Sequence, residues 1–239
     1  MADTLLEVSN LSTGYGDVQV LWDVGFDITR GETVCLVGSN GAGKSTLLRC
    51  LSGLIPATAG GFRFEGREMA GRSPQDIVAV GIAHVPEGGG VFGAMSVHDN
   101  LLLGAYLRHD KDGVRRDLDR VLSLFPILAQ RRNQAAGTLS GGEQQMCAIA
   151  RGMMNNPKLL MIDELSLGLA PQVVEMLSET IRAIARDGLS VLLVEQDAIT
   201  AFELATRGVV LDSGRVRLID ATAKLAENPA VQEAYMGLA

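Results

Sequence analysis

The sequence predicts an α/β protein with a core built on a parallel sheet, an antiparallel β part near the N-terminus and an inserted α-helical part. Three observations carry that prediction. Thr33-Val34-Cys35-Leu36-Val37 is short, apolar and β-branched, and reads as a buried strand running through a glycine-rich loop into a helix. Residues 92–157 hold one helical pattern after another, with no convincing strand between them. From residue 158 apolar strand runs and an amphipathic helix alternate again. The 239 residues suffice for one substantial core, alone or with a smaller subdomain.

Residues 5–30 alternate as a strand does, most clearly at Val24, Phe26 and Ile28, with turns at Gly14-Tyr15-Gly16 and Arg30-Gly31. After the core strand, Lys44 to Ser52 carries Leu47, Leu48 and Leu51 at helical spacing, and Gly53 can end that helix. Gly61-Phe62-Arg63-Phe64-Glu65 is a further short strand that closes the antiparallel part at Gly66. Gly81-Ile82-Ala83-His84-Val85 is a core strand followed by Pro86-Glu87 and three glycines. In the helical part, Ser96 caps a helix carrying Leu101, Leu102 and Leu103, with Asp99 favourably placed in its first turn. A second helix covers Val114 to Leu124 and a third Ser140 to about Met154.

Lys158-Leu159-Leu160-Met161-Ile162 is a buried strand ending at Asp163-Glu164. Val173, Leu177, Ile181 and Ile184 mark an amphipathic helix that stops near Gly188, and Val191-Leu192-Leu193-Val194 is the next strand. Val209 to Ile219 reads as a hairpin turning at Ser213-Gly214, and Asn228-Pro229 opens a short terminal helix. The expected division is therefore 1–30 and 61–68 for the antiparallel part and 92–157 for the helical insertion. Residues 31–60, 69–91 and 158–239 make the core and its C-terminal tail. There is no internal repeat and no low-complexity segment.

Composition narrows the function. Aromatics are 4%, too few to supply stacking platforms for single-stranded nucleic acid, and a net charge of −7 argues against a nucleic-acid backbone as partner. Cys35, Cys50 and Cys147 fall in apolar runs with no C-x-x-C pair, as core thiols in a reducing compartment do. Met1-Ala2-Asp3-Thr4 lacks the charged-then-apolar pattern of a signal peptide, and no apolar run is long enough to span a bilayer. If membranes matter, the protein meets them through a partner. His84, His98 and His109 have no metal-like spacing, and Met153, Met154 and Met161 read as core packing.

Chemistry is concentrated in three motifs. Gly38-Ser39-Asn40-Gly41-Ala42-Gly43-Lys44-Ser45 has the G-x-x-x-x-G-K-[S/T] spacing of a phosphate-binding loop, between the strand and helix such a loop requires. Its glycines let backbone N–H groups converge on phosphate oxygens, and the helix N-terminus adds partial positive charge. Lys44 would reach the β- and γ-phosphates and the Ser45 hydroxyl would coordinate magnesium. Asp163-Glu164 at a strand end supplies the second acidic element, Asp163 for the magnesium shell and Glu164 to polarise an attacking water. Alone, such a pair could equally mark a helix start; beside the phosphate loop the chemical reading is preferred.

The third motif is Leu139-Ser140-Gly141-Gly142-Glu143-Gln144-Gln145. Ser140-x-x-Glu143 is a capping box, yet that role leaves Gly141-Gly142 unexplained, because glycines weaken a first helical turn. They make sense if the backbone must approach a ligand closely, and a serine at a helix N-terminus is a second phosphate site. Two such sites for one γ-phosphate suggest two chains sandwiching a nucleotide.

This segment resembles the signature motif of ATP-binding cassette ATPases, and the resemblance covers essentially the whole chain. It implies a P-loop NTPase core with ATP and Mg2+ as ligands. Gly38, Ser39, Asn40, Gly41, Ala42, Gly43, Lys44, Ser45 and Thr46 would wrap the phosphates. It also implies a head-to-tail dimer, with itself or with a paralogous cassette. In that dimer Ser140, Gly141, Gly142 and Glu143 of one subunit meet the ATP held by Lys44 of the other.

Tyr15 matches the aromatic that stacks on adenine, and otherwise is a turn tyrosine. Glu87 stands where a glutamine usually senses magnesium and contacts the transport partner. Gln196 stands where a switch histidine is usual, as a γ-phosphate sensor beside Glu164 and Lys44; otherwise it belongs to the N-cap region of a helix beginning near Asp197. Ser166-Leu167-Gly168-Leu169-Ala170-Pro171 occupies the loop that crosses the dimer interface.

Pro86-Glu87, Ser166 to Pro171 and Val194-Glu195-Gln196 together resemble the ATPase subunits of branched-chain amino acid importers. That resemblance implies transmembrane permease subunits docked near Glu87, and a periplasmic or extracellular solute-binding protein met only indirectly. It places the chain in the cytoplasm, peripheral on the inner face of the cell membrane. Urea, short amides or other amino acids remain open as solutes. Soluble cassettes of translation or DNA repair usually fuse two cassettes or insert a long coiled coil, and neither is in the sequence. A silent dimerisation module is opposed by intact Lys44, Asp163, Glu164 and Ser140. Two departures stand out. Leu165 replaces the usual proline and should loosen the turn after Glu164, and Gly88-Gly89-Gly90 replaces a stretch that is often basic.

Overall fold

The structure, a computed structural model, describes residues 3–236. Met1 and Ala2, the start of the segment read above for a targeting signal, lie outside the described residues. Strand β1 (Thr4–Tyr15) turns back at Gly16, whose φ is 56°, into β2 (Val18–Thr29). β3 (Thr33–Val37) leads through the glycine loop to helix α1 (Lys44–Leu51). The chain returns to the first sheet as β4 (Ala59–Phe64) and β5 (Arg67–Glu68), then makes α2 (Pro74–Ala79) and β6 (Ile82–Val85). The helical part is α3 (Val97–Leu103), α4 (Lys111–Leu124), α5 (Pro126–Gln130), a short 3-10 turn (Ala136–Thr138) and α6 (Gly141–Met153). The core resumes with β7 (Leu159–Asp163), α7 (Pro171–Arg186), β8 (Ser190–Glu195) and α8 (Ala198–Leu204). The hairpin β9 (Arg207–Asp212) and β10 (Arg215–Ala221), then α9 (Thr222–Ala226) and α10 (Pro229–Val231), finish the regular elements, and a π-turn covers Gln232–Met236.

The strands form two sheets. The antiparallel one has order β2-β1-β4-β5, and the larger one has order β10-β9-β3-β8-β7-β6. In the larger sheet β3 pairs parallel with both β8 and β9, β8 with β7, and β7 with β6. Every residue of β3, β7 and β8 is buried, as expected of strands covered on both faces. The period of two divides them between layers. Val34, Leu36, Leu159, Met161, Leu192 and Val194 join α1 and the antiparallel sheet. Leu160, Ile162, Val191 and Leu193 join the helical part and α7. Cys35 and Val37 pack on α8 and the C-terminal tail, and Cys35, Cys50 and Cys147 are all free, buried thiols.

Among the described residues the span 92–157 carries no strand, only an isolated bridge between Ser96 and Ala135. The Ser96 hydroxyl accepts from the Asp99 N–H at 3.0 Å, which fixes the start of α3. Of its three leucines only Leu101 is buried; Leu102 and Leu103 are partly exposed. Helices α2, α5 and α8 were not marked by periodicity, since 5 to 7 residues give too few turns for a repeating stripe. The start of α2 was legible locally, because Ser73 and Asp76 form a capping box.

Parallel pairing sets the place of the chemistry. The loops after β3, β6, β7 and β8 all leave the same edge of one sheet, so segments more than 100 residues apart converge there.

Candidate functional site

The phosphate loop begins where β3 ends. A Cβ at Gly38 would lie 2.3 Å from the Leu211 carbonyl oxygen, and one at Gly43 (φ 104°) 2.5 Å from Leu21 Cδ2, so both glycines are needed for close packing. Gly43 is also the N-cap of α1, and no side chain caps that helix. Its first-turn N–H groups are therefore left for a ligand. Leu47, Leu48 and Leu51, fully buried, hold the uncapped helix in place.

Lys44 is buried and curls back over the loop. Its Nζ donates to the Gly38 carbonyl at 2.7 Å and to that of Ser39 at 3.4 Å, and lies 3.5 Å from Glu164 Oε1. The Ser45 hydroxyl donates to Asp163 Oδ1 at 3.3 Å, across 118 residues of sequence. Burial pushes the Asp163 carboxyl above its ordinary range, and the charges of Glu164 and Glu87 add to this, against the Ser45 hydrogen bond and Lys44. A carboxylate strained in this way gains from a cation. Among the described residues no group of three or more His, Cys, Asp and Glu forms an all-protein metal cage. A hydroxyl and one carboxylate are instead the hard-oxygen donors that suit magnesium bound mainly through phosphates and water.

A cavity of ≈ 430 Å³ stands over the loop, and it is lined by Ser39, Asn40, Gly41, Gly43, Lys44, Ser45, Thr46, Glu87, Glu164 and Gln196. Val20 and Leu167 complete the lining. Val20, on β2, was missed because one apolar residue in a strand gives no signal of its own, whereas Leu167 belongs to the loop expected at the dimer interface. Gly38 and Ala42, of the same loop as Lys44, do not line the cavity. Tyr15 does not line it: exposed on the rim of the antiparallel sheet, its hydroxyl accepts from Arg49 Nη1 of α1 at 3.0 Å.

Gln196 follows β8 and is exposed. The cap of α8 belongs to its neighbour: Asp197 accepts from the Ile199 N–H at 3.0 Å and from the Thr200 hydroxyl at 2.6 Å. Gln196 is left facing the cavity, and the capping alternative goes to Asp197.

Glu164 adopts φ 56°, a left-handed conformation rare outside glycine, and its N–H donates to the Val194 carbonyl at 2.9 Å. The turn after it is not loose. Leu165 is fully buried in the layer beneath the helical part, and Ser166 donates twice to the Glu195 carboxylate. The expectation of a loosened turn is corrected: a buried leucine anchors by packing what a proline would fix by geometry. Glu195 was not singled out from sequence, although a charged residue closing a run of five core positions is a legible oddity. Burial, with the Glu164 charge next, raises its pKa to about 7, while Ser166 and the Leu165 N–H pull the other way.

Ser140, Gly141, Gly142 and Glu143 do not line this cavity. They form the start of α6. The Ser140 N–H donates to Glu143 Oε2 at 2.9 Å, and the Glu143 N–H to Ser140 Oγ at 3.4 Å. Arg131 lies 3.1 Å from Glu143 Oε1. The two glycines separate in role. A Cβ at Gly142 would sit 2.5 Å from Val173 Cγ1 on α7, so packing within the chain requires that glycine. A Cβ at Gly141 would meet nothing closer than Leu169 Cδ2 at 3.8 Å, so close approach of a ligand is a reason for Gly141 alone.

A second, mostly apolar groove of ≈ 400 Å³ lies between the core and the helical part, with Phe92, Leu103, Tyr106, His84 and Arg151 on its walls. Gly88, Gly89 and Gly90 do not line it, and all stand at left-handed φ (70°, 71° and 57°). Arg151 Nη2 donates to the Gly89 carbonyl at 3.0 Å and Nη1 to that of Gly90 at 2.9 Å, and the guanidinium stands 5.5 Å from the Phe92 ring centre. The Gly89 and Gly90 carbonyls thus accept from a guanidinium of α6.

The sequence profile of the family described as "ABC transporter" matches residues 21–166. The chain is 47% identical over 233 residues to the high-affinity branched-chain amino acid transport ATP-binding protein BraG of Pseudomonas aeruginosa, spanning 98% of this chain and 100% of that one. It is 35% identical over 235 residues to the probable branched-chain amino acid transport ATP-binding protein LivF of Archaeoglobus fulgidus, spanning 98% and 99%. Among solved structures, the ATP-binding subunit of an ABC transporter superposes with a TM-score of 0.84 at 30% identity, over 98% of this chain and 97% of that one.

Proposed function

The chain belongs to the ABC transporter family, and from that premise we propose that it is the ATP-hydrolysing subunit of an importer for branched-chain amino acids. The observation that carries the ATPase reading is the convergence of Lys44, Ser45, Asp163 and Glu164 at one sheet edge, with Ser45 bonded to Asp163 and Lys44 beside Glu164. The solute is supported by the likeness to the P. aeruginosa and A. fulgidus proteins along nearly the whole chain.

In this reading the open N–H groups of α1 and the loop bind the β- and γ-phosphates, and Lys44 moves from the Gly38 carbonyl onto a phosphate oxygen. Ser45 and Asp163, with Glu87 nearby, would hold magnesium, which would supply neutralisation of phosphate charge. Glu164 orients the attacking water and Gln196 donates to the γ-phosphate. Tyr15, from the rim, packs against the base. Ser140 of a second cassette completes the site, its hydroxyl proton still free to donate while its oxygen caps α6.

Permease subunits dock in the apolar groove beside Gly88–Gly90, where Phe92 and Tyr106 are exposed. A solute-binding protein is reached only through them. No helix among the described residues is long and apolar enough to cross a membrane, so attachment to the inner membrane face depends on that docking.

The test is Glu164→Gln. This variant is expected to bind MgATP and accumulate as a dimer while turnover falls by about a thousandfold. Wild-type turnover would remove Glu164 from the mechanism. For the solute, cells lacking the chain should lose energised uptake of labelled leucine, isoleucine and valine; undiminished uptake of all three would reassign the importer.

A further inference from the structure

Glu195 is the last residue of β8 and is fully buried, yet among the described residues no cation pairs with it. Its partners are neutral donors from one short segment: the Ser166 N–H reaches Oε1 at 3.0 Å and the Ser166 hydroxyl reaches Oε2 at 3.0 Å. Ser166 lies two residues beyond Glu164. On the other flank, the Glu164 N–H is bonded to the carbonyl of Val194, the residue before Glu195. Glu164 is therefore bracketed by β8 on both sides, with the buried Leu165 between the two ties.

This bracket has something to hold. Glu164 sits at φ 56°, and a non-glycine residue stays in that region only when its surroundings impose it. The Glu164 N–H tie comes from strand-end backbone and is available to any sequence. The tie at Ser166 depends on one side chain.

We propose that Glu195 is a positioning residue for ATP hydrolysis, a buried latch whose carboxylate grips Ser166 and so sets where Glu164 stands over the phosphate loop. The inference rests on the reading of Glu164 as the residue that orients water. The latch reaches further along the same segments. Leu167, next after Ser166, lines the cavity, and β8 continues directly into Gln196, which lines it too. One carboxylate thus joins the loop proposed to cross the dimer interface to the residue proposed to sense the γ-phosphate.

Protonation does not open the latch. With a pKa near 7 the group exists in both forms at neutral pH. The charged form accepts from both Ser166 donors. The neutral form keeps one acceptor for the N–H and donates its own proton to the Ser166 hydroxyl oxygen. A glutamine reproduces the neutral form: Oε1 accepts from the N–H and Nε2 donates to the hydroxyl oxygen.

The experiment is steady-state ATPase kinetics on the full chain for Glu195→Ala, Glu195→Gln, Ser166→Ala and the double variant Ser166→Ala/Glu195→Ala. Glu195→Ala should lower kcat by about tenfold or more with KM for ATP held within about twofold, the split expected when transition-state positioning is lost and nucleotide binding kept. Glu195→Gln should recover most of that loss. Ser166→Ala should cost about threefold, and the double variant should be no slower than Glu195→Ala, since both substitutions remove the same contact.

Wild-type kcat in Glu195→Ala, failure of Glu195→Gln to recover activity, or losses that multiply in the double variant would each overturn the latch. Should Glu195→Ala not fold, Ser166→Ala decides, and an unchanged kcat there overturns it equally. Glu164→Gln measured alongside separates the two readings. Turnover in Glu164→Gln defeats the role of Glu164, whereas an inactive Glu164→Gln beside a fully active Glu195→Ala defeats the latch alone.

Discussion

Helices α1 and α6 both start beside glycines, and they finish their N-termini in opposite ways. At α1 the N-cap is Gly43 in a left-handed conformation and no side chain closes the turn. At α6 Ser140 and Glu143 close it reciprocally. A glycine N-cap forgoes only a few tenths of a kcal/mol relative to a serine or aspartate, and the buried leucines of α1 offset that easily. The first helix start is therefore kept open for a ligand, and the second is finished within the chain. Substitution at the first should strike function with little effect on folding, and substitution at the second should strike both.

The largest effect tests that division directly. Lys44→Ala and Ser140→Arg should each reduce ATPase activity by at least about a hundredfold. Mixed dimers of the two contain one site lacking both groups and one lacking neither. Mixtures should therefore exceed the sum of the separate variants wherever mixed dimers are shown to form. Mixtures that never exceed that sum would return Ser140 to a capping role only.

The same division recurs at the end of β8, where Asp197 caps α8 and Gln196 is left open. Gln196→Ala should lower kcat by about tenfold with a smaller change in KM. Gln196→His should keep activity and gain a pH dependence between roughly pH 6 and 8, where imidazole changes charge. An alanine variant with unchanged kcat would leave Asp197 as the only working residue of that turn.

A smaller effect separates the charge of Glu195 from its contacts. Its pKa is raised from 4.5 to about 7 on folding, so above pH 4.5 the unfolded chain releases the proton more readily than the folded one. The stability tied to this group is full below pH 4.5 and is lost as pH rises through about 7. Between pH 5 and 8, denaturant midpoints of wild type should fall relative to Glu195→Gln by the equivalent of up to about 3 kcal/mol. Parallel pH profiles would mean that the carboxylate is not desolvated as the fold implies. The facing groups are Glu164, whose charge drives the shift in the same direction, and Ser166, which opposes it.

The smallest effect belongs to the closed helix start. Ser140→Ala should cost about 1 kcal/mol of stability through the lost cap. Gly142→Ala should cost more, because its methyl group would press on Val173. Thermal denaturation of both variants ranks the two.

What was legible in the sequence follows the range of the interactions. The phosphate loop, the buried runs of β3, β7 and β8, the Asp163-Glu164 pair and the Ser140 capping box are each written within about ten residues, because local backbone geometry and strand or helix period dictate them. Short helices such as α2 and α5 escaped, since their stability comes from packing rather than from a pattern of their own.

By itself the sequence determined the class of fold and the chemistry at the ends of the core strands. Parallel strands covered on both faces must be continuous apolar runs, and a loop that wraps phosphate must have glycine and lysine at set offsets. The tertiary structure decided the rest. It assigned Gly142 to Val173, left Tyr15 on the rim against Arg49, and gave the Gly89 and Gly90 carbonyls to Arg151. It also buried Glu195 against Ser166, 29 residues away. Each of these depends on which segment lies against which, and a side chain's burial and hydrogen-bond partners exist only once the sheet order has placed distant segments in contact.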